Sequence, residues 1–547
     1  MLGANRPKRR FRPIVMVGAG TVTLALLALA FRLWDRSVED RLGRWAVEEV
    51  TRRTDGTYRL TLGDLSFLPL PGSISFDSAV VSTDSVRNGR RTSRLPTLAW
   101  RARGCRVSGL DVVRLVFRRS FAARELGCDR VEAGIALVSR PRDKAGPTPD
   151  STGSAAPLRD AVLPLGLSSF EVAHVSFPAL SLTIDRLGRH GGTSILLEHA
   201  RFEATKLAFA PKAGPPGRRA LSAGQARMTA TGLVLRSGRL TRVMIAGAEA
   251  DLTDATLRLA GIRHEPSIPE HQWVRRVRVR RDRIRFELDS LRARGVGWRA
   301  FVSTGDIGAR ALELDGATLD VLTDKRIPRG RPSRHRTPQQ LAAGAGLALH
   351  LDSILVSRGT IVYREREPGR ERPGQVSFDA VRGRVVDLRL PPGGKPVRIE
   401  AQARVMGEGL LTVEASVPLD APDFRYDLSG RLGRMPAGAF NRFLGENESF
   451  EFAKGSVDSV DFRQTARGAR ALTTVTPRYH DVSVRPSGHG GGAIGSVGRA
   501  VKKFVANTSW WMTATRTRRG CAPPGWCGGT TRRGPGSSLS GSVFGMD

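Results

Sequence analysis

Few residues capable of bond chemistry occur at spacings that would let them perform it. Nine histidines run from His174 to His489 with no HExxH pair, and four cysteines form no CxxC pattern, so no metal site is legible. There is no GxSxG nucleophile elbow. His480 beside Asp481 pairs a base with an orienting acid, but no nucleophile accompanies it. Glu365/Glu367 and Glu446/Glu448 lie in charged, turn-rich sequence, where solvated surface is the expectation over acid–base work. The glycine run Gly488–Gly498 (GHGGGAIGSVG) lacks the GK[ST] ending of a phosphate loop and a preceding βαβ unit, and reads as a flexible connector. The expectation is a protein that is not an enzyme and uses no cofactor. Cys105 and Cys128 remain. They sit on two strand-like stretches, RARGCRVSG and ELGCDRVEAG, and in an oxidising compartment they can pair; two buried free thiols are the other reading.

The elements around these residues follow from composition and period. The chain has 547 residues, 40% hydrophobic and 25% charged, which is the balance of a folded protein. Lys+Arg number 87 against 52 Asp+Glu, a net +35, but only 9 of the basic residues are lysine. That skew fits a GC-rich genome, and no nucleic-acid module accompanies it, so nucleic acid is not an expected partner.

Residues 1–12 are basic (Arg6, Lys8, Arg9, Arg10, Arg12), and Pro13 to Phe31 carries no charge. That run suits the ~20 residues that cross a bilayer. It exceeds the usual signal-peptide core, which favours an uncleaved anchor over a cleaved leader. The reading is a transmembrane helix over 13–34 with a cytoplasmic N-terminus and the body outside the cytoplasm. A short amphipathic helix over 35–53 follows, with Val38, Leu42, Trp45 and Val50 at helical spacing.

Beyond Asp55-Gly56 the period becomes two. Leu180, Leu182 and Ile184 alternate with polar residues, as do Val277 and Val279; Ile284, Phe286 and Leu288; Val397 and Ile399; and Val413 and Val417. These predict half-buried antiparallel strands in a mainly β protein. An apolar–Asp–small unit recurs, as at Phe76-Asp77-Ser78, Leu288-Asp289-Ser290, Leu314-Asp315-Gly316 and Phe378-Asp379-Ala380. It reads as a turn signal at strand ends.

Polar stretches divide the chain into a first β unit (54–139), a flexible linker (140–158) and a second unit (159–324). A basic linker (325–342), a third unit (343–485) and a Gly-rich connector with a helix (486–508) follow. Residues 509–547 break the pattern: Arg, Gly, Pro, Cys and Trp dominate, and Asp547 is the sole acid. Their composition is that of a GC-rich gene read out of frame, which resequencing the locus would test. The tail is expected to be disordered.

With the anchor and short helix, YRLTLGDLSFLPLPGSISFDSAVVSTD (58–84) resembles the opening of AsmA-like proteins, the repeating β-groove class that includes TamB. LHLDSILVSRGTIVYRE (349–365), FRYDLSGRLGRMPAGAFNRFLGE and FEFAKGSVDSVDF resemble the class's recurrent strand units, over roughly residues 1–130 and 345–485. Alternation leaves a groove and a β-sandwich open, since both bury one face of each strand. The resemblance implies an elongated, antiparallel, groove-like (taco-shaped) sheet. On the order of 25 strands at ~4.8 Å would extend about 120 Å.

It further implies an inner-membrane protein with a periplasmic body that binds and transfers phospholipid and supports the outer membrane. The alternative function is a non-enzymatic assembly or scaffold factor for envelope proteins, and such proteins are implied partners beside phospholipid. The alternating apolar positions named above, from Leu180 to Val417, are the candidate groove lining.

Overall fold

The structure is a computed structural model. It describes residues 39–41, 43–44, 46–52, 54, 56–68, 72–84, 97–118, 120–138, 169–187, 193–211, 219–237, 241–298, 300–301, 306–330, 336–345, 348–448, 450–487 and 544–545. The expected anchor (13–34), the Pro/Ser/Gly-rich linker (140–158), the connector (486–508, beyond Ser487) and nearly all of the tail lie outside these residues. No helix among the described residues is long and apolar enough to cross a membrane.

Alternation of β-branched and charged residues builds strands, and Gly, Pro and Asp separate them. The first meander holds β1 (Tyr58–Gly63), β2 (Ser66–Leu68), β3 (Ser73–Thr83), β4 (Thr97–Ser108) and β5 (Ser120–Val138). The second holds β6 (Ser169–Leu187), β7 (Thr193–Pro211), β8 (Arg219–Ser222), β9 (Gln225–Ser237), β10 (Thr241–Asp251), β11 (Thr256–Pro266), β12 (Arg283–Arg294) and β13 (Ile307–Asp324). The third holds β14 (Leu349–Arg366), β15 (Gly374–Leu390), β16 (Val397–Val405), β17 (Gly409–Val417), β18 (Arg425–Leu432), β19 (Met435–Pro436), β20 (Phe450–Arg467) and β21 (Arg470–Pro486). A two-residue strand, β22 (Phe544–Gly545), adds to β21.

The 22 strands among the described residues form one open sheet. The strand pairs are antiparallel, except that β5 pairs parallel with β6 and β13 parallel with β14. The two linkers read from the sequence therefore fall where the chain crosses back to start a new meander at the opposite end of its neighbour. Three meanders are joined edge to edge, not separated. Because β2, β8 and β19 share a neighbour with β1, β9 and β18, the stack is on the order of 80 Å long at ~4.8 Å per strand. It is shorter than expected because several long strands each read as two in the sequence.

The reason lies inside the strands. Gly104 in β4, Gly232 in β9, Gly261 in β11 and Gly316 in β13 have φ of 58°, 70°, 61° and 70°. Each faces a side chain of the neighbouring strand: Asp129, Glu198, Ala246 and Asp289. Left-handed backbone within a strand breaks the pleat, so the apolar positions step by three there instead of two. Around Gly316, Gly104 and Gly232 the steps are Leu314 to Ala317, Ala102 to Cys105 and Ala230 to Leu233, and the facing strands follow with Leu288 to Leu291, Cys128 to Val131 and Leu197 to Ala200. The apolar side chains nevertheless stay together, since Leu197, Ala200, Ala230 and Leu233 pack in one cluster across the break. The result is a crease running strand to strand.

This corrects the reading of the Asp–small units as strand ends. Asp77, Asp289, Asp315 and Asp379 all lie within strands, and Asp289 and Asp315 lie at or beside the crease.

Short helices decorate the sheet. Helical residues 39–41, 43–44 and 46–52 precede β1, with Val50 buried and Glu39 Oε1 accepting from the Phe67 amide at 2.8 Å. Pro338–Ala343 lies in the second crossover, opened by a capping box between Thr337 and Gln340. Asn441–Asn447 lies between β19 and β20.

Candidate functional site: one apolar sheet face

Residues opposite one another across a ladder share a face, so the printed registers trace the face directly. One row runs Leu182, Leu197, Leu233, Ile245, Ile262, Leu288 and Ala317 through β6, β7, β9, β10, β11, β12 and β13. Beyond the crease a second row runs Ala293, Leu312, Ile354, Val385, Ile399, Ala415 and Leu428, from β12 to β18. Apolar residues hold both rows without a charged interruption.

The structure brings together ten of the expected lining residues on this face. Leu180 and Ile184 flank Leu182 on β6; Ile284 and Phe286 precede Leu288 on β12; Val397 pairs with Val417, and Val413 with Ala401. Their cover is uneven. Leu288 and Val397 are buried, at 3% and 5% exposure, whereas Ile284 is 44% exposed. At one end of β14–β20 the face is covered by the helix Asn441–Asn447 and its lead-in, where Phe440, Phe443 and Leu444 pack with Phe450 and Phe452. A neighbouring core holds Val376, Val405, Leu432 and Met435.

Val277 and Val279 are not part of this face and not in a strand. Trp273, in the helix Glu270–Arg276, packs with Ile268, Val277 and Ile327, so Val277 is an interior residue of a separate small core. Val279 stands in the following loop, 47% exposed. Alternation with arginine is the same in a loop that hugs the sheet end as in a strand, so period alone did not separate them.

Cys105 and Cys128 oppose each other on β4 and β5 and form a disulfide, Cα–Cα 4.0 Å. It lies in the apolar cluster of Ala102 and Val131, beside the crease.

The other face is charged and laced across strands. Arg358 Nε donates to Asp315 Oδ1 at 2.9 Å, and the same guanidinium reaches Asp289 at 3.4 Å. The bonds from Arg358 and Ser357 hold the Asp315 carboxyl down at about 2. At the end of β13 and β14, Arg364 bridges Asp320 and Glu270 at 2.7 and 3.1 Å. Glu365 instead stands on the apolar side, two residues on from Tyr363, which pairs with Val321 and Val376; Lys325 bonds it and Glu367, and burial opposes the lysine's charge, but the two carboxylates outweigh that and raise its pKa. Tyr363 donates to Glu365 at 2.7 Å, and burial followed by that carboxylate pushes the phenol well above its ordinary range.

These groups satisfy one another, and sequence reasoning did not pair them, since partners such as Glu270 and Arg364 are 94 residues apart. Among the described residues no cluster of His, Cys, Asp and Glu could hold a metal ion.

No protein-family model matches the chain, and no curated protein matches it.

Proposed function

We propose that the apolar face carries the acyl chains of phospholipid, in a protein anchored through residues 13–34 with its sheet in the periplasm of a diderm bacterium. The crease would fold the sheet into a trough along its length. The observation that carries this reading is the pair of apolar rows crossing the sheet, with no second layer among the described residues over β6–β13 and with side chains such as Ile284 exposed. Burial stabilises roughly 0.8 kcal/mol per CH₂, so such a face can hold chains that water expels.

The disulfide fits an oxidising compartment. The resemblance to AsmA-like proteins points the same way, to lipid transfer supporting the outer membrane without bond chemistry.

The test is lipid mass spectrometry on the full chain, purified from a diderm host and exchanged through lipid-free detergent. Stoichiometric phospholipid is expected in the wild type, with loss when Phe286 and Leu319, its cross-strand partner on β13, are both changed to Asp. A folded, lipid-free wild type would favour an assembly or scaffold factor that binds envelope proteins.

A further inference from the structure

The segment from Arg275 to Arg285 carries seven arginines and one acid, Asp282. It is folded, not loose. Trp273 and Val277 root it in a core with Ile327, and Arg280 donates to the carbonyls of Ile327 and Lys325 at 2.8 and 2.5 Å. The Arg280 amide adds a bond to the Pro328 carbonyl at 2.9 Å.

The nearby acids are engaged elsewhere. Asp282 accepts from Thr323 at 2.6 Å, Glu270 is held by Arg364 and Arg366, Asp324 by Arg326 and Arg366, and Glu287 by Arg285. Arg275, Arg276, Arg278 and Arg281 are exposed and form no ion pair with a described residue. Between them Val279 is 47% exposed, and three residues beyond Arg281 the apolar row opens with Ile284.

A guanidinium cluster that outnumbers the acids around it, rooted at the rim where an apolar row begins, has the layout of an amphiphile's two ends. Guanidinium is suited to phosphate, offering several donors in a planar fork. We infer that Arg275, Arg276, Arg278 and Arg281 bind the phosphate of an anionic lipid whose chains lie along Ile284, Phe286 and Leu288. This rests on the acyl-chain reading above and adds a selectivity to it: anionic over zwitterionic headgroups.

The experiment loads the full chain from mixed micelles of equal phosphatidylglycerol and phosphatidylethanolamine and measures both the total and the ratio of retained lipid. Wild type should favour phosphatidylglycerol by roughly fivefold, the factor expected of one retained basic contact. The quadruple Arg→Gln variant at 275, 276, 278 and 281 should bring the ratio near one with the total unchanged. Arg382→Gln with Arg384→Gln, which removes two charges from exposed β15 positions, should leave the ratio at the wild-type value.

A quadruple variant with the wild-type ratio overturns the inference while the acyl-chain reading stands. A wild type without lipid overturns the acyl-chain reading and the inference with it. Inorganic phosphate alone is titrated in parallel. If it binds as tightly to wild type as lipid does, and the lipid ratio is flat, the cluster is a free-anion site and the headgroup assignment fails.

Discussion

The Asp289 carboxylate lies over Gly316 on the neighbouring strand, its Oδ2 2.0 Å from where a Cβ would stand. Gly316 also has φ +70°, which side chains rarely tolerate. Gly316→Ala should therefore destabilise the protein by about 1–3 kcal/mol, read as a shift in the urea midpoint. Adding Asp289→Ala should recover the steric share and leave the dihedral share, a separation a double-mutant cycle measures.

Arg358 ties Asp315 and Asp289 together across β12, β13 and β14. A carboxyl lowered from 3.8 to about 2 contributes stability above pH 4 that is lost as pH falls through 2. Arg358→Gln should return the Asp315 titration toward 3.8, followed by carboxyl NMR, and flatten the stability profile between pH 4 and pH 2. An unchanged Asp315 titration would show that Ser357, not Arg358, governs it.

Cys105 and Cys128 close a chain separation of 23 residues. Replacing both by Ser should cost about 3 kcal/mol from the freed unfolded chain, measured by denaturant titration. The same loss should appear in the wild type under reductant and be absent in the variant.

Gln339, 3% exposed in the crossover helix, donates from one amide nitrogen to the carbonyls of Pro418 and Arg425, at 3.1 and 2.7 Å. Gln339→Ala should leave those acceptors unpaired and cost about 1–3 kcal/mol. Hydrogen exchange should quicken first near Arg425, at the start of β18.

Phe450 is fully buried under the helix Asn441–Asn447, whereas Ile284 is 44% exposed. Phe450→Ala should cost about 3–5 kcal/mol, and Ile284→Ala less than about 1 kcal/mol. Comparable losses at the two positions would mean that Ile284 is covered in solution.

The strand faces were legible because period two survives wherever one side of a sheet meets water. Ile284-Phe286-Leu288 and Val397-Ile399 needed no tertiary information. The crease was half legible. Asp289-Ser290 and Asp315-Gly316 carry the chemistry of a turn, and the same local signal serves a strand end and a mid-strand left-handed residue. Only the partner strand decides between them, through the contact of Asp289 with Gly316.

Val277 failed for a related reason. Its inward direction is set by Trp273 and Ile327, the latter 50 positions along the chain, and nothing in VRVRR marks it. The Lys325–Gln340 run was readable as a boundary, but not as the crossover that lets β13 and β14 run side by side.

Each strand in this sheet touches little beyond its two neighbours, and the ladder ends in open edges instead of closing on itself. Its stability is consequently a chain of local couplings, as in solenoid proteins. Under a pulling force such a molecule would yield in instalments, one hairpin after another from the ends inward. The packed stretch around Phe450 and Leu444 would hold longest, leaving the second meander the more compliant part of the molecule.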